Sequence, residues 1–92
     1  MADKHASARK RARQNEQRRQ RNTRLRSALR TAVKKVMVAA DAGDVETATA
    51  ELPLAVRTLG KASSKGIVHK NHAARRISRL TRRVHALVAA RS

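Results

Sequence analysis

The chain has 92 residues and carries 23 Lys and Arg against 6 Asp and Glu, a formal charge of +17. Self-repulsion on that scale opposes compaction, so solubility does not explain it and an anionic partner does. The absence of Cys, Trp, Tyr and Phe excludes a disulfide framework, thiolate metal ligation and recognition by bases stacked on aromatic rings.

Within the first 24 residues there is no Leu, Ile, Val or Phe, yet there are seven Arg and two Lys. The stretch also lacks Gly and Pro and is rich in Ala, Arg and Gln, residues that favour helix once something else stabilises it. Residues 1–24 therefore read as a basic arm that orders on a polyanion. Arg9, Lys10, Arg11, Arg13, Arg18, Arg19, Arg21 and Arg24 surround the whole circumference of such a helix, which implies phosphates on more than one side. A large folded RNA offers that geometry better than a lone duplex. All 17 Leu, Ile and Val residues fall between Leu25 and Val88, so residues 25–92 form the foldable body.

From Leu25 the apolar positions recur at Ala28, Leu29, Ala32, Val33, Val36 and Ala40, the spacing of one helical face. Nothing breaks the path from about Ser7 to Asp41, which predicts one long first helix of about 50 Å. Asp41-Ala42-Gly43-Asp44 stops it, with Gly43 suited to the left-handed position and Asp44 to capping the next helix. That second helix spans about Val45 to Ser64, with Val45, Ala48, Leu52, Ala55, Val56 and Leu59 on one face and a kink expected at Pro53. Lys65-Gly66 ends it. The third runs from His69–Asn71 to about Ala90, with Ala73, Ile77, Leu80, Val84, Leu87 and Val88 inward. Arg75, Arg76, Arg79, Arg82 and Arg83 are expected in a sector opposite that stripe. The result is an all-α, up-down-up three-helix bundle with a long, basic, projecting N-terminal half of the first helix.

Charge follows the same division: residues 1–35 carry +11, residues 36–60 carry −3 and residues 61–92 carry +9. The outer segments are expected to face the polyanion. No apolar run approaches a membrane span, and basic helices that lie on membranes carry a large apolar second face that the arm lacks. A cytoplasmic protein without membrane partner is the expectation.

Nothing catalytic stands out. His69 and His72 are three apart, but no third ligand is near and Lys70 repels a cation; helix capping, or phosphate or base contact, suits them better. Asp41, Asp44, Glu46 and Glu51 read as caps and surface charges rather than an acid–base pair, and no glycine-rich phosphate loop exists. No metal, cofactor, small-molecule substrate or homo-oligomer is expected. With Asn15, Asn22, Asn71, Gln14 and Thr31 available for local hydrogen bonds, recognition should rest on phosphate and ribose contacts. A basic-region zipper is disfavoured because the stripe after Leu25 ends at Ala40. A DNA-architectural protein and a helical partner of an acidic protein remain alternatives.

Several ordered blocks are more specific than charge. They are Ser7-Ala8-Arg9-Lys10-Arg11, Arg13-Gln14-Asn15-Glu16, Arg18-Arg19, Arg30-Thr31, Lys34-Lys35-Val36 and Ala42-Gly43-Asp44. To these add Lys65-Gly66-Ile67, His69-Lys70-Asn71, Ala73-Ala74-Arg75 and Ser78-Arg79-Leu80. Over essentially its full length the chain resembles the bacterial small-subunit ribosomal protein S-twenty family. It departs at its start, where Asp3-Lys4-His5-Ala6 replaces a more usual Asn-Ile-Lys pattern. The resemblance implies a structural constituent of the small ribosomal subunit that binds 16S ribosomal RNA directly, in its 5′ domain and at the penultimate stem, and stabilises its folding and assembly. It further implies RNA contacts at Arg9, Lys10, Arg11, Arg13, Asn15, Arg18, Arg19, Arg30, Lys34, His69, Lys70, Asn71, Arg75 and Arg79. Arg76, Arg82 and Arg83 join them as members of the same arginine cluster.

Overall fold

The structure, a computed structural model, describes residues 4–91 and the side chains of residues 6–91. Positions 1–3 of the expected arm and Ser92 of the expected body lie outside the described residues, as do the side chains of Lys4 and His5. Three helices make up the fold: α1 (Lys4–Asp41), α2 (Val45–Ser64) and α3 (Lys70–Arg91). The described residues contain no strand. Helix α1 starts three residues before Ser7, since Ala and Lys continue the same helix-favouring composition.

Both inter-helix turns follow from a glycine. Gly43 adopts φ +73° and Gly66 φ +75°, the left-handed conformation that costs other residues most. At the first turn the Asp44 amide donates to the Ala39 carbonyl (2.8 Å) and the Gly43 amide to Ala40 (3.1 Å). At the second, Ile67 donates to Ala62 (2.9 Å) and Gly66 to Ser63 (3.0 Å). This paired pattern satisfies carbonyls that a helix end leaves open. Asp44 then serves the following helix: its Oδ1 accepts from the Thr47 amide (3.1 Å) and its Oδ2 from the Thr47 hydroxyl (2.6 Å). Those two donors, the hydroxyl first, hold the Asp44 carboxyl below the usual aspartate range. Helix α2 is continuous through Pro53.

Turns this short fold each helix back on the last, giving the up-down-up order. Helix α2 lies in the middle and packs on both neighbours, whereas α1 and α3 touch over a narrower strip. Its Ala48, Ala55 and Ala62 are fully buried at a seven-residue interval, so the neighbouring helices can approach a seam of small side chains. Leu29, Val36, Leu59, Leu80 and Val84 supply the bulk of the core, with Ala39, Ala40 and Ala73 completing it. Leu25, Ala32, Val33, Met37, Leu52, Ile67, Val68, Ile77 and Leu87 pack around that centre half-buried.

Two inward expectations fail. Ala28 is exposed and Val88 is 42% exposed, although Leu25, Leu29 and Leu87 beside them pack on the core. Ala39 and Ala62, absent from the expected faces, are buried instead. The molecule measures 73 × 21 × 14 Å, and the core packing begins only at Leu25.

Candidate nucleic-acid interface

Every described side chain from Ala6 to Arg21 is exposed. With no apolar face to bury, this part of α1 relies on intrinsic propensity and on local pairs between adjacent turns. One such pair is present: Arg19 Nε donates to Glu16 Oε2 (3.1 Å), and Arg19 Nη2 to Glu16 Oε1 (2.9 Å). Gln20 adds a third bond to the same carboxylate at 3.3 Å. The guanidinium holds the Glu16 carboxyl below its ordinary range, chiefly through the hydrogen bonds and then through charge, and is itself raised in return. Arg9, Lys10, Arg11, Arg13 and Arg18 have no acidic partner among the described residues. Asn15 is exposed beside them. Asn22 marks the entry to the body: it is half-buried, with its Oδ1 covered and unpaired.

Helix α2 runs twenty residues back along α1 from the Gly43 turn, which brings the Lys65–Lys70 connection beside the point where α1 becomes exposed. There His69 acts as the cap of α3. Its Nδ1 accepts from the Asn71 amide (3.1 Å), and its carbonyl takes the Ala73 amide (3.0 Å). That bond occupies Nδ1, and the Nε2 edge of the exposed ring lies outside it. Lys70, Asn71 and His72 are exposed in the first turn. Among the described residues no group of three His, Cys, Asp or Glu side chains forms a metal site. Neither α1 nor α3 has an acidic residue in its first turn, whereas α2 has Glu46. The first turn of α3 therefore carries no acidic side chain to offset its helix dipole.

The arginines of α3 do not form the single opposite sector expected from the sequence. Arg75 and Arg82 are exposed and lie opposite the core stripe. Arg76 and Arg83 are four before and three after Leu80, and at 100° per residue both fall on one flank of the buried stripe. With Arg79 they line a groove against Val33 and Met37 of α1. Arg83 also donates to the Asp41 carboxylate at the C-terminal end of α1. Forty-two positions separate the two residues, so no local pattern announces the pair. Lys34 occupies a different groove, between α1 and α2, with Lys35, Val38, Thr47 and Glu51. Arg30 is exposed on α1, and the Thr31 hydroxyl donates to the Ser27 carbonyl of its own helix (3.0 Å). Arg26, Lys35 and Lys65 are also exposed and basic.

The fold and the charge on its surface define a class: a small, basic, all-helical protein built to meet a polyanion. The sequence model described as Ribosomal protein S20 matches residues 3–85, and the chain belongs to that family. It is 55% identical over 80 residues to the small ribosomal subunit protein bS20 of Colwellia psychrerythraea, covering 87% of this chain and 93% of that one. The bS20 of Thioalkalivibrio sulfidiphilus is 56% identical over 82 residues, covering 89% and 95%. That of Cutibacterium acnes is 50% identical over 80 residues, covering 87% and 91%. Membership of a ribosomal-protein family also establishes that the chain is a structural protein and not an enzyme. Among the described residues no helix is long and apolar enough to cross a membrane.

Proposed function

We propose that the chain is a structural component of the small ribosomal subunit that binds 16S ribosomal RNA directly and stabilises its folding, in the bacterial cytoplasm. The observation that carries this reading is the exposed basic helix from Arg9 to Arg21 in a chain whose relatives are named as small-subunit proteins. Residues 1–24 act as the RNA-binding arm and residues 25–92 as the body that positions it. An arm of this composition has little to hold it helical alone, so it completes its ordering on the RNA.

Encounter is electrostatic. Arg9, Lys10, Arg11, Arg13, Arg18 and Arg19 displace counterions from phosphates on more than one side of the arm. His69, Lys70 and Asn71 hold the RNA at the base of the arm, while Arg30, Lys34, Arg75, Arg76, Arg79, Arg82 and Arg83 extend contact along the body. By bridging strands that repel one another, the protein fixes how RNA helices converge in the 5′ domain and against the penultimate stem.

The test is a titration against folded 5′-domain ribosomal RNA and a length-matched DNA duplex at several salt concentrations. Saturable RNA binding that persists at physiological salt while DNA binding collapses supports the reading. Equal affinities with equal salt slopes overturn it in favour of a DNA-architectural protein.

A further inference from the structure

The strip where α1 and α3 meet is narrow, and beside it lies a groove of about 380 Å³ lined by Val33, Met37, Leu80, Arg76, Arg79 and Arg83. Its volume falls in the range of small-ligand sites. The floor is apolar: Leu80 is buried, and Val33 and Met37 are half-buried. The rim is formed by three exposed guanidinium groups, and no acidic residue lines it. Asp41 engages Arg83 at one side, whereas Arg76 and Arg79 have no acidic partner among the described residues. Other grooves of the body differ in kind. That between α1 and α2 sets Lys34 and Lys35 against Asp44 and Glu51, and that at the far end of the bundle includes Glu46.

Resting on the RNA-binding reading, we propose that this groove is a nucleotide subsite that receives one unstacked RNA base on Val33, Met37 and Leu80, with its flanking phosphates on Arg76 and Arg79. A paired helix presents phosphates, 2′-hydroxyls and the polar base edges of its shallow minor groove, and none of these makes use of an apolar floor. An extruded nucleotide matches both halves of the site, because its base is a flat, weakly polar ring and its phosphates are anionic. The Met37 thioether is suited to the edge of such a ring, and a guanidinium plane can stack on its face. The chain thereby gains a base-level contact although it has no aromatic residue. Holding Arg83 on Asp41 keeps that side chain at the groove's rim instead of over its floor.

The experiment uses the full chain with labelled Met, Leu and Val methyl groups, titrated by NMR with adenosine monophosphate and, separately, with ribose 5-phosphate. The expected result is a saturable shift of the Met37, Val33 and Leu80 methyls with the nucleotide alone. It should vanish in Arg76→Gln/Arg79→Gln, whose exposed positions leave the thermal melt unchanged. No methyl shift, or the same shift with ribose 5-phosphate, reduces the groove to an anion site or nothing and overturns the proposal. A Glu- and Leu-containing peptide that displaces the nucleotide and moves the methyls further assigns the groove to a protein partner and also overturns it. In parallel, a hairpin with one bulged nucleotide should bind several-fold tighter than its fully paired counterpart. Equal affinity for the two hairpins refutes the subsite yet leaves RNA binding standing, whereas failure to bind 5′-domain RNA refutes the broader reading.

Discussion

Leu59→Ala probes the core most directly. Leu59 is 0% exposed and is among the largest fully buried side chains. It lies on α2, the helix that joins the other two. Burying a Leu side chain is worth about 1.5–3 kcal/mol in transfer alone, and the cavity left behind adds to the loss, giving about 2–5 kcal/mol overall. The upper half of that range applies here. The buried α2 residues nearest in the seam, Ala55 and Ala62, have no side-chain torsion with which to fill the space. Among the described residues, six of the eleven buried hydrophobic ones are alanines, so the core is thin and one leucine is a large part of it. A domain of this size loses about 4–8 °C of melting temperature per kcal/mol, which makes a fall of more than about 10 °C the expected result. The assay is thermal unfolding by far-ultraviolet circular dichroism, with Leu54→Ala as control. Leu54 sits in the same helix but is 48% exposed, and its truncation should fall within about 0.5 kcal/mol of no effect. Equal losses from the two substitutions would refute the packing described above.

Four further substitutions follow from local geometry. Gly43→Ala should destabilise by roughly 1–2 kcal/mol because of its φ of +73°, since an added Cβ meets nothing within 4 Å. Gly60, inside α2 with equally open surroundings, should behave oppositely, Gly60→Ala stabilising by about 0.4–1 kcal/mol; thermal melts of both variants decide, and like signs would contradict the turn. Asp44→Ala should lower the melting temperature at neutral pH by removing the cap of α2. Because the native carboxyl is depressed, its contribution is complete above the ordinary aspartate range and disappears as pH falls through the lowered value, so wild type and variant should converge only in strong acid. A difference that grows on acidification is inconsistent with the cap. Glu16→Gln releases Arg19 from its ion pair and should steepen the salt dependence of ribosomal RNA binding by roughly one phosphate contact; an unchanged or shallower slope removes Arg19 from the interface.

The helix order, the turns and the family were legible because each rests on short-range chemistry. Gly43 and Gly66 stand just past periodic apolar runs, and only such residues close the turns at little cost. Asp44 precedes Thr47 by the spacing a helix cap requires. The coreless stretch before Leu25 is a matter of composition, and composition alone shows that its basic side chains have no core of their own to rest on. The His69-Lys70-Asn71 block pointed toward RNA, and the structure adds that the His69 ring caps α3 with Nδ1.

Tertiary structure decided what periodicity could not. Ala28 and Ala39 are eleven residues apart, about 20° on the helix, so periodicity could not tell that the bundle covers Ala39 and leaves Ala28 exposed. Arg76 and Arg83 adjoin Arg75 and Arg82 on the helical wheel, and only the position of α1 shows that the first pair borders a groove. The Asp41–Arg83 pair and the groove over Val33, Met37 and Leu80 exist only because α3 returns along α1 at a particular offset. That offset is set by the alanine seam of α2 and the lengths of two glycine turns acting together, so it belongs to the assembled bundle, whereas each helix and each turn belongs to its own stretch of sequence.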